Sequence, residues 1–121
     1  MKLVVREQVT HALLHHLGQA ELLTSDVATV EVPRAAFLKT GTLAVMFQAE
    51  SLLGHFYLIA SDDRLRRTAA RLRPPELRSL DAIHLASALR VRDRIEAVVA
   101  YDRRLASAAR EADLDVVTPG A

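Results

Sequence analysis

Ile95-Glu96-Ala97-Val98-Val99-Ala100-Tyr101-Asp102-Arg103-Arg104-Leu105 turns abruptly from an apolar run into a helix start. The stretch from Ile95 to Ala100 is short and almost continuously apolar, with Val98 and Val99 at its centre. That composition predicts a strand buried on both faces. Asp102 follows at once, with a side chain suited to accept the free N–H groups of a first helical turn, and a helix is expected from there to about Ala112. The same succession recurs upstream. Leu22-Leu23-Thr24 precedes Ser25-Asp26 and a helix to about Lys39; His55–Ala60 precedes Ser61-Asp62-Asp63 and a helix to Leu72. Val116-Val117 reads as a last short strand. Strands that are apolar throughout and alternate with helices specify an α/β fold around a mostly parallel sheet.

The remaining helices follow from periodicity. Val5, Val9, Leu13 and Leu17 recur every four residues and predict a helix over 6–17, closed by Gly18. Residues 42–53 read as a helix between Gly41 and Gly54, and 80–92 as another, capped by Ser79, with Leu80, Ile83, Ala86 and Leu89 facing inward. Pro33 lacks an amide donor and predicts a kink or restart, and Pro74-Pro75 marks a break. No repeat or linker interrupts the chain, so residues 1–121 are expected to form one domain.

Composition removes whole classes of function. The chain has 121 residues, of which 50% are hydrophobic and 26% charged, which predicts a packed core rather than disorder. No apolar window reaches the ~18 residues of a membrane helix, so a transmembrane protein is not expected. Cysteine is absent, which excludes disulfides, thiolate metal sites and cysteine nucleophiles. With 16 basic and 15 acidic residues, a nucleic-acid partner has to be argued from charge placement. Tryptophan is also absent, against a base-stacking platform, and no glycine-rich phosphate loop is present. A cytoplasmic protein is expected.

In parallel α/β sheets, chemistry gathers just beyond the carboxyl ends of the strands. Glu31, Asp81 and Asp102 all lie early in helices, where a carboxylate has a plain alternative role as complement to the helix dipole. His84, one turn beyond Asp81, is expected to pack or orient that helix. The spacing of His11 and His15, the pair Asp62 and Asp63, and Thr24 with Ser25 are all explained by helix surface or capping. Arg64, Arg66, Arg67, Arg71 and Arg73 read as a solvated face, and Arg103 and Arg104 fit equally a solvated helix surface or contacts to the phosphates of a nucleic acid.

The local sequences around the three carboxylates share a resemblance. Ser79-Leu80-Asp81-Ala82-Ile83-His84-Leu85-Ala86-Ser87-Ala88 resembles the SLDAIHLASA signature of PIN-domain ribonucleases, VapC-type toxins especially. Tyr101-Asp102-Arg103-Arg104-Leu105 resembles their TYDRRL segment. The stretch from Thr24 to Val32 is similar to their strand-to-helix passage with an acidic residue in VEV. The resemblance implies a three-layer α/β sandwich and an endoribonuclease, the toxin of a type II toxin–antitoxin system, working with Mg²⁺ or Mn²⁺. It implies Glu31, Asp81 and Asp102 as catalytic carboxylates and metal ligands, a homodimer, and a VapB-type antitoxin as partner. Clustered carboxylates repel one another, and a bound cation relieves that repulsion, polarises the scissile phosphate and acidifies an attacking water.

One departure stands out. PIN domains begin with a central strand ending in aspartate, and Lys2-Leu3-Val4-Val5-Arg6-Glu7 is similar to the segment that follows it. The first strand and its aspartate are therefore expected to be missing. That would leave two open sheet edges, an apolar groove and weak or no cleavage. The alternative function is a PIN-like binding module that dimerises or sequesters an antitoxin without cutting RNA.

Overall fold

The computed structural model describes residues 1–6 and 11–119. Five strands and six α-helices alternate along it: β1 (Lys2–Val5), α1 (His11–Leu17), β2 (Glu21–Ser25), α2 (Ala28–Thr40), α3 (Leu43–Leu53), β3 (Phe56–Ile59), α4 (Asp63–Ala70), α5 (Ser79–Arg90), β4 (Ala97–Val99), α6 (Arg103–Glu111) and β5 (Val116–Val117). The strands form one sheet in the order β3-β2-β1-β4-β5, and every pair is parallel.

Side chains alternate across the pleat and split the core in two. Leu3, Val5, Ala97 and Val99 face one layer with Leu13, Leu17, Val32 and Leu52 of α1–α3. Val4, Val98 and Ala100 face the other with Leu65, Leu85 and Leu105 of α4–α6. The expected three-layer α/β sandwich is the observed fold.

The expected gap in the sheet is not there. Lys2–Val5 is itself the central strand, with Leu3 beside Leu22 of β2 on one side and beside Ala97 of β4 on the other. Leu3, Val4 and Val5 are almost wholly buried. The sheet has no gap there, so the predicted extra edges and groove do not form. The sequence reading assigned Val5 to a helical stripe with Val9, Leu13 and Leu17. Among the described residues that helix is only His11–Leu17, and residues 7–10 of the expected helix, Glu7 included, lie outside the described residues. Val5 belongs to a period-two pattern instead. An apolar run of three residues does not distinguish the two periods. Gly18, with φ +61°, ends α1 as expected.

Three local expectations also change. Helix α2 passes through Pro33 without a restart. Proline removes one backbone bond, but Val32, Pro33 and Ala36 are all buried, and that packing offsets the loss. Neither Ser25 nor Asp26 occupies the N-cap of α2; Val27 does. The Asp26 carboxylate instead accepts from the Ser61 amide at 3.1 Å and hydroxyl at 2.6 Å, joining the ends of β2 and β3. In α5 the cap position belongs to Arg78, and the inward face carries Ala82, His84, Leu85, Ala86, Ser87 and Ala88. Leu80, expected inside, is 46% exposed. The helix packs on the sheet and also against α4 and α6, which rotates its buried arc.

Asp62 caps α4 by accepting from the Leu65 amide at 2.9 Å and holds Arg90 in a two-pronged pair at 2.7 Å and 2.9 Å. The Arg90 hydrogen bonds, followed by the Leu65 amide, lower its carboxyl from an ordinary 3.8 to about 2. A depressed carboxyl stabilises the fold above its unfolded value, and that contribution disappears as pH falls through the folded value. Asp62→Asn, which keeps a capping oxygen, is therefore expected to flatten the decline in melting temperature between pH 4 and pH 2 by a small amount. Melts of both proteins across that range check it.

Candidate functional site

The chain runs β1, β2, β3 outward on one side, then crosses back to place β4 against β1. The topological switch point therefore lies between the carboxyl ends of β1 and β4, where α/β sheets open a crevice. Arg6 leaves β1 there, and its amide donates to the Val99 carbonyl at 3.1 Å. Thr24 and Ser25, which the sequence reading gave to capping, are buried. The Thr24 hydroxyl donates to the Val5 carbonyl at 2.7 Å and fixes the residue just before Arg6.

Around this point the fold assembles a charged cluster. Arg6 donates through Nε to Asp81 Oδ1 at 2.9 Å, and its Nη2 lies 4.0 Å from Glu31 Oε2. His84 Nε2 donates to Glu31 Oε1 at 2.5 Å. The Glu31 and Asp81 side chains are 20% and 16% exposed, dry enough for these charges to be felt strongly. Burial alone would raise the Glu31 carboxyl. The hydrogen bond from His84, with the positive charges of His84 and Arg6, outweighs burial and holds Glu31 below its ordinary value. The His84 ring is buried, and its other nitrogen, Nδ1, has no hydrogen-bond partner among the described residues.

Asp102 sits at the N-cap of α6, accepting from the Leu105 amide at 3.0 Å. Its capping role is as expected. It also lines a cleft of about 360 Å³ with Arg6, Leu77, Arg78, Asp81 and Arg104. The structure thus places Glu31 and Asp81 on one guanidinium, and Asp81 and Asp102 in one cleft that Glu31 does not line. Arg104 lines that cleft; Arg103 is exposed at the start of α6 and does not.

Three participants escaped the sequence reading or were underrated by it. Arg78 precedes the helix of Asp81 and was passed over. His84, one helical turn after Asp81 and so on the same face, was weighed for the site but expected rather to pack or orient the helix. Arg6 follows an apolar run just as Asp102 does; with Leu3–Val5 read as a strand, its position at a carboxyl end would have been visible.

Comparison with known proteins settles the family. The chain matches the PIN domain over residues 2–111. It belongs to the PIN-domain family. Its relatives include ribonuclease VapC46 of Mycobacterium tuberculosis (strain ATCC 25618 / H37Rv), 37% identical over 98% of this chain and 91% of the relative. Ribonuclease VapC47 of M. tuberculosis (strain CDC 1551 / Oshkosh) is 34% identical over 99% of this chain and 91% of its own length. Ribonuclease VapC35 of the same strain is 41% identical over 81% and 73%. No solved structure matches the chain.

A divalent cation needs several oxygen ligands converging on one point. Among the described residues of this PIN domain, no three histidine, aspartate or glutamate side chains are placed to hold one. The position between Glu31 and Asp81 is taken by the Arg6 guanidinium. The arrangement as it stands does not fit a resident metal ion. No helix among the described residues is long and apolar enough to cross a membrane.

Proposed function

We propose that this PIN domain, a single domain over residues 1–121, is an endoribonuclease of the VapC type and the toxin of a type II toxin–antitoxin pair. The observation that carries the reading is the pairing of Asp81 and Asp102 with Arg78 and Arg104 around one cleft at the sheet's switch point, in a chain whose relatives are ribonucleases. Phosphodiester hydrolysis needs an anionic phosphate held in place and a water relieved of its proton. Guanidinium forks suit phosphate oxygens, so Arg104 and Arg78 dock the RNA backbone, with Arg103 adding an outer contact. Asp81 and Asp102 orient the water, and one of them takes its proton as its oxygen bonds to phosphorus; the P–O bond to the departing ribose oxygen breaks, and that oxygen takes a proton from solvent water.

Glu31, Asp81 and Asp102 are the proposed catalytic carboxylates and would be the ligands of Mg²⁺ or Mn²⁺, the cofactor that the family relation implies. With Arg6 in place they do not form such a cage, so no step above passes through a metal. A homodimer and a VapB-type antitoxin are the proposed protein partners, and the cytoplasm the proposed location. In support, Leu38, Leu43 and Phe47 on the α2–α3 pair are 65%, 57% and 59% exposed, an apolar surface of the kind protein partners cover.

Arg6 also favours a second reading: a PIN-domain module that binds RNA or antitoxin without cutting. Single-turnover incubation of end-labelled structured RNA in Mg²⁺ separates the two. Discrete products that disappear in Asp102→Asn support the nuclease, while intact RNA with retained binding supports the module. Arg104→Ala is expected to weaken RNA binding and lower the slope of log affinity against log salt by about 1, as removal of one phosphate contact does. Gel-shift titrations across salt concentrations check this.

A further inference from the structure

We propose that Arg6 is a built-in cation lodged between Glu31 and Asp81, so that a divalent metal enters this site only in competition with it. The inference rests on the assignment of Glu31 and Asp81 to the site; its test does not require RNA cleavage.

The geometry is that of an occupied position. One guanidinium meets Asp81 at 2.9 Å and lies 4.0 Å from Glu31. Two poorly hydrated carboxylates brought together need a positive charge between them, and the planar fork of arginine spans two acceptors where lysine would present a single point. The guanidinium is anchored by its own backbone, because the Arg6 amide is bonded to β4 and the preceding carbonyl to Thr24. His84 completes the neutralisation by binding the far oxygen of Glu31. Arginine stays charged throughout the working pH range, so a change of pH cannot vacate the position.

Arg6 follows directly on the central strand Lys2–Val5. Its charge therefore stands at the carboxyl end of the middle strand of the sheet, where it acts as a competing cation. Affinity for hard divalent cations follows the number and charge of oxygen ligands, so the native chain is a poor metal binder while Arg6 stays.

The test is Mn²⁺ titration of the full chain, with free Mn²⁺ read by electron paramagnetic resonance, for the native protein, Arg6→Gln, Arg6→Asp and the double variant Arg6→Asp/Asp81→Asn. Arg6→Gln removes the competitor and Arg6→Asp also adds a carboxylate. Both are expected to bind more tightly than the native chain, Arg6→Asp by roughly tenfold or more, and the double variant to lose most of that gain. Native affinity equal to that of both single variants overturns the proposal. If Arg6→Asp fails to melt cooperatively, Arg6→Gln, which keeps a donor for Asp81, decides. Tighter Mn²⁺ binding by Arg6→Asp without RNA cleavage leaves this inference standing and removes the nuclease reading. A native chain that cuts RNA and binds Mn²⁺ as tightly as Arg6→Gln does the reverse.

Discussion

Val99→Asp is expected to leave no cooperatively folded protein at room temperature. Val99 is 0% exposed at the end of β4, paired with Val5 of β1 and Val117 of β5. Its described neighbours in the core layer are all apolar, and none of them offers a cation or a donor to a carboxylate. Burying an unpaired charge belongs to the few mechanisms that cost more than ~4 kcal/mol. Domains of this size hold ~5–15 kcal/mol in all, and a carboxyl pushed towards protonation still leaves a polar group unsatisfied. Circular dichroism with a thermal melt checks it. A sigmoidal transition within a few degrees of the native protein would show that the central strands are packed more loosely than described.

Asp81→Asn acts on chemistry while leaving the fold. The side chain is 16% exposed, keeps its size as asparagine, and loses only its charge. The ion pair with Arg6 is part-exposed, and such pairs contribute on the order of 1 kcal/mol or less, so the melting temperature should move by only a few degrees. Single-turnover RNA cleavage should fall by about 10² or more, the scale of removing a positioned proton acceptor. Retained cleavage at the native rate would exclude Asp81 from the reaction.

Much of the architecture could be read before any coordinates. The run around Val98-Val99 with Asp102 behind it, and the run around Leu22 with its helix behind it, each matched one strand and one helix, because continuous burial is a local property; the Asp102 cap was legible too, whereas the cap expected at Ser25 or Asp26 is not formed. What failed had a common physical cause. Lys2–Val5 is a strand only by virtue of its partners: its three apolar residues fit either period until β2 and β4 are placed beside them. That error hid Arg6, since a residue's place at the end of a strand cannot be seen before the strand is. The swing of α5 that buries His84 and exposes Leu80 comes from packing on three sides, which a single hydrophobic stripe does not encode. Conversely, the resemblance at Ser79–Ala88 carried the family correctly, and the structure brings Glu31 and Asp81, far apart in sequence, onto one side chain.

The most direct test of the central claim, that the carboxylates at this switch point act on RNA, is single-turnover cleavage of an end-labelled structured RNA by Arg6→Asp in Mg²⁺, run beside the native chain, Arg6→Asp/Asp102→Asn and an EDTA control. The account predicts cleavage by Arg6→Asp that is faster than by the native chain, with the gain reversed by EDTA, and that is absent from the double variant. Cleavage that persists in the double variant would contradict it.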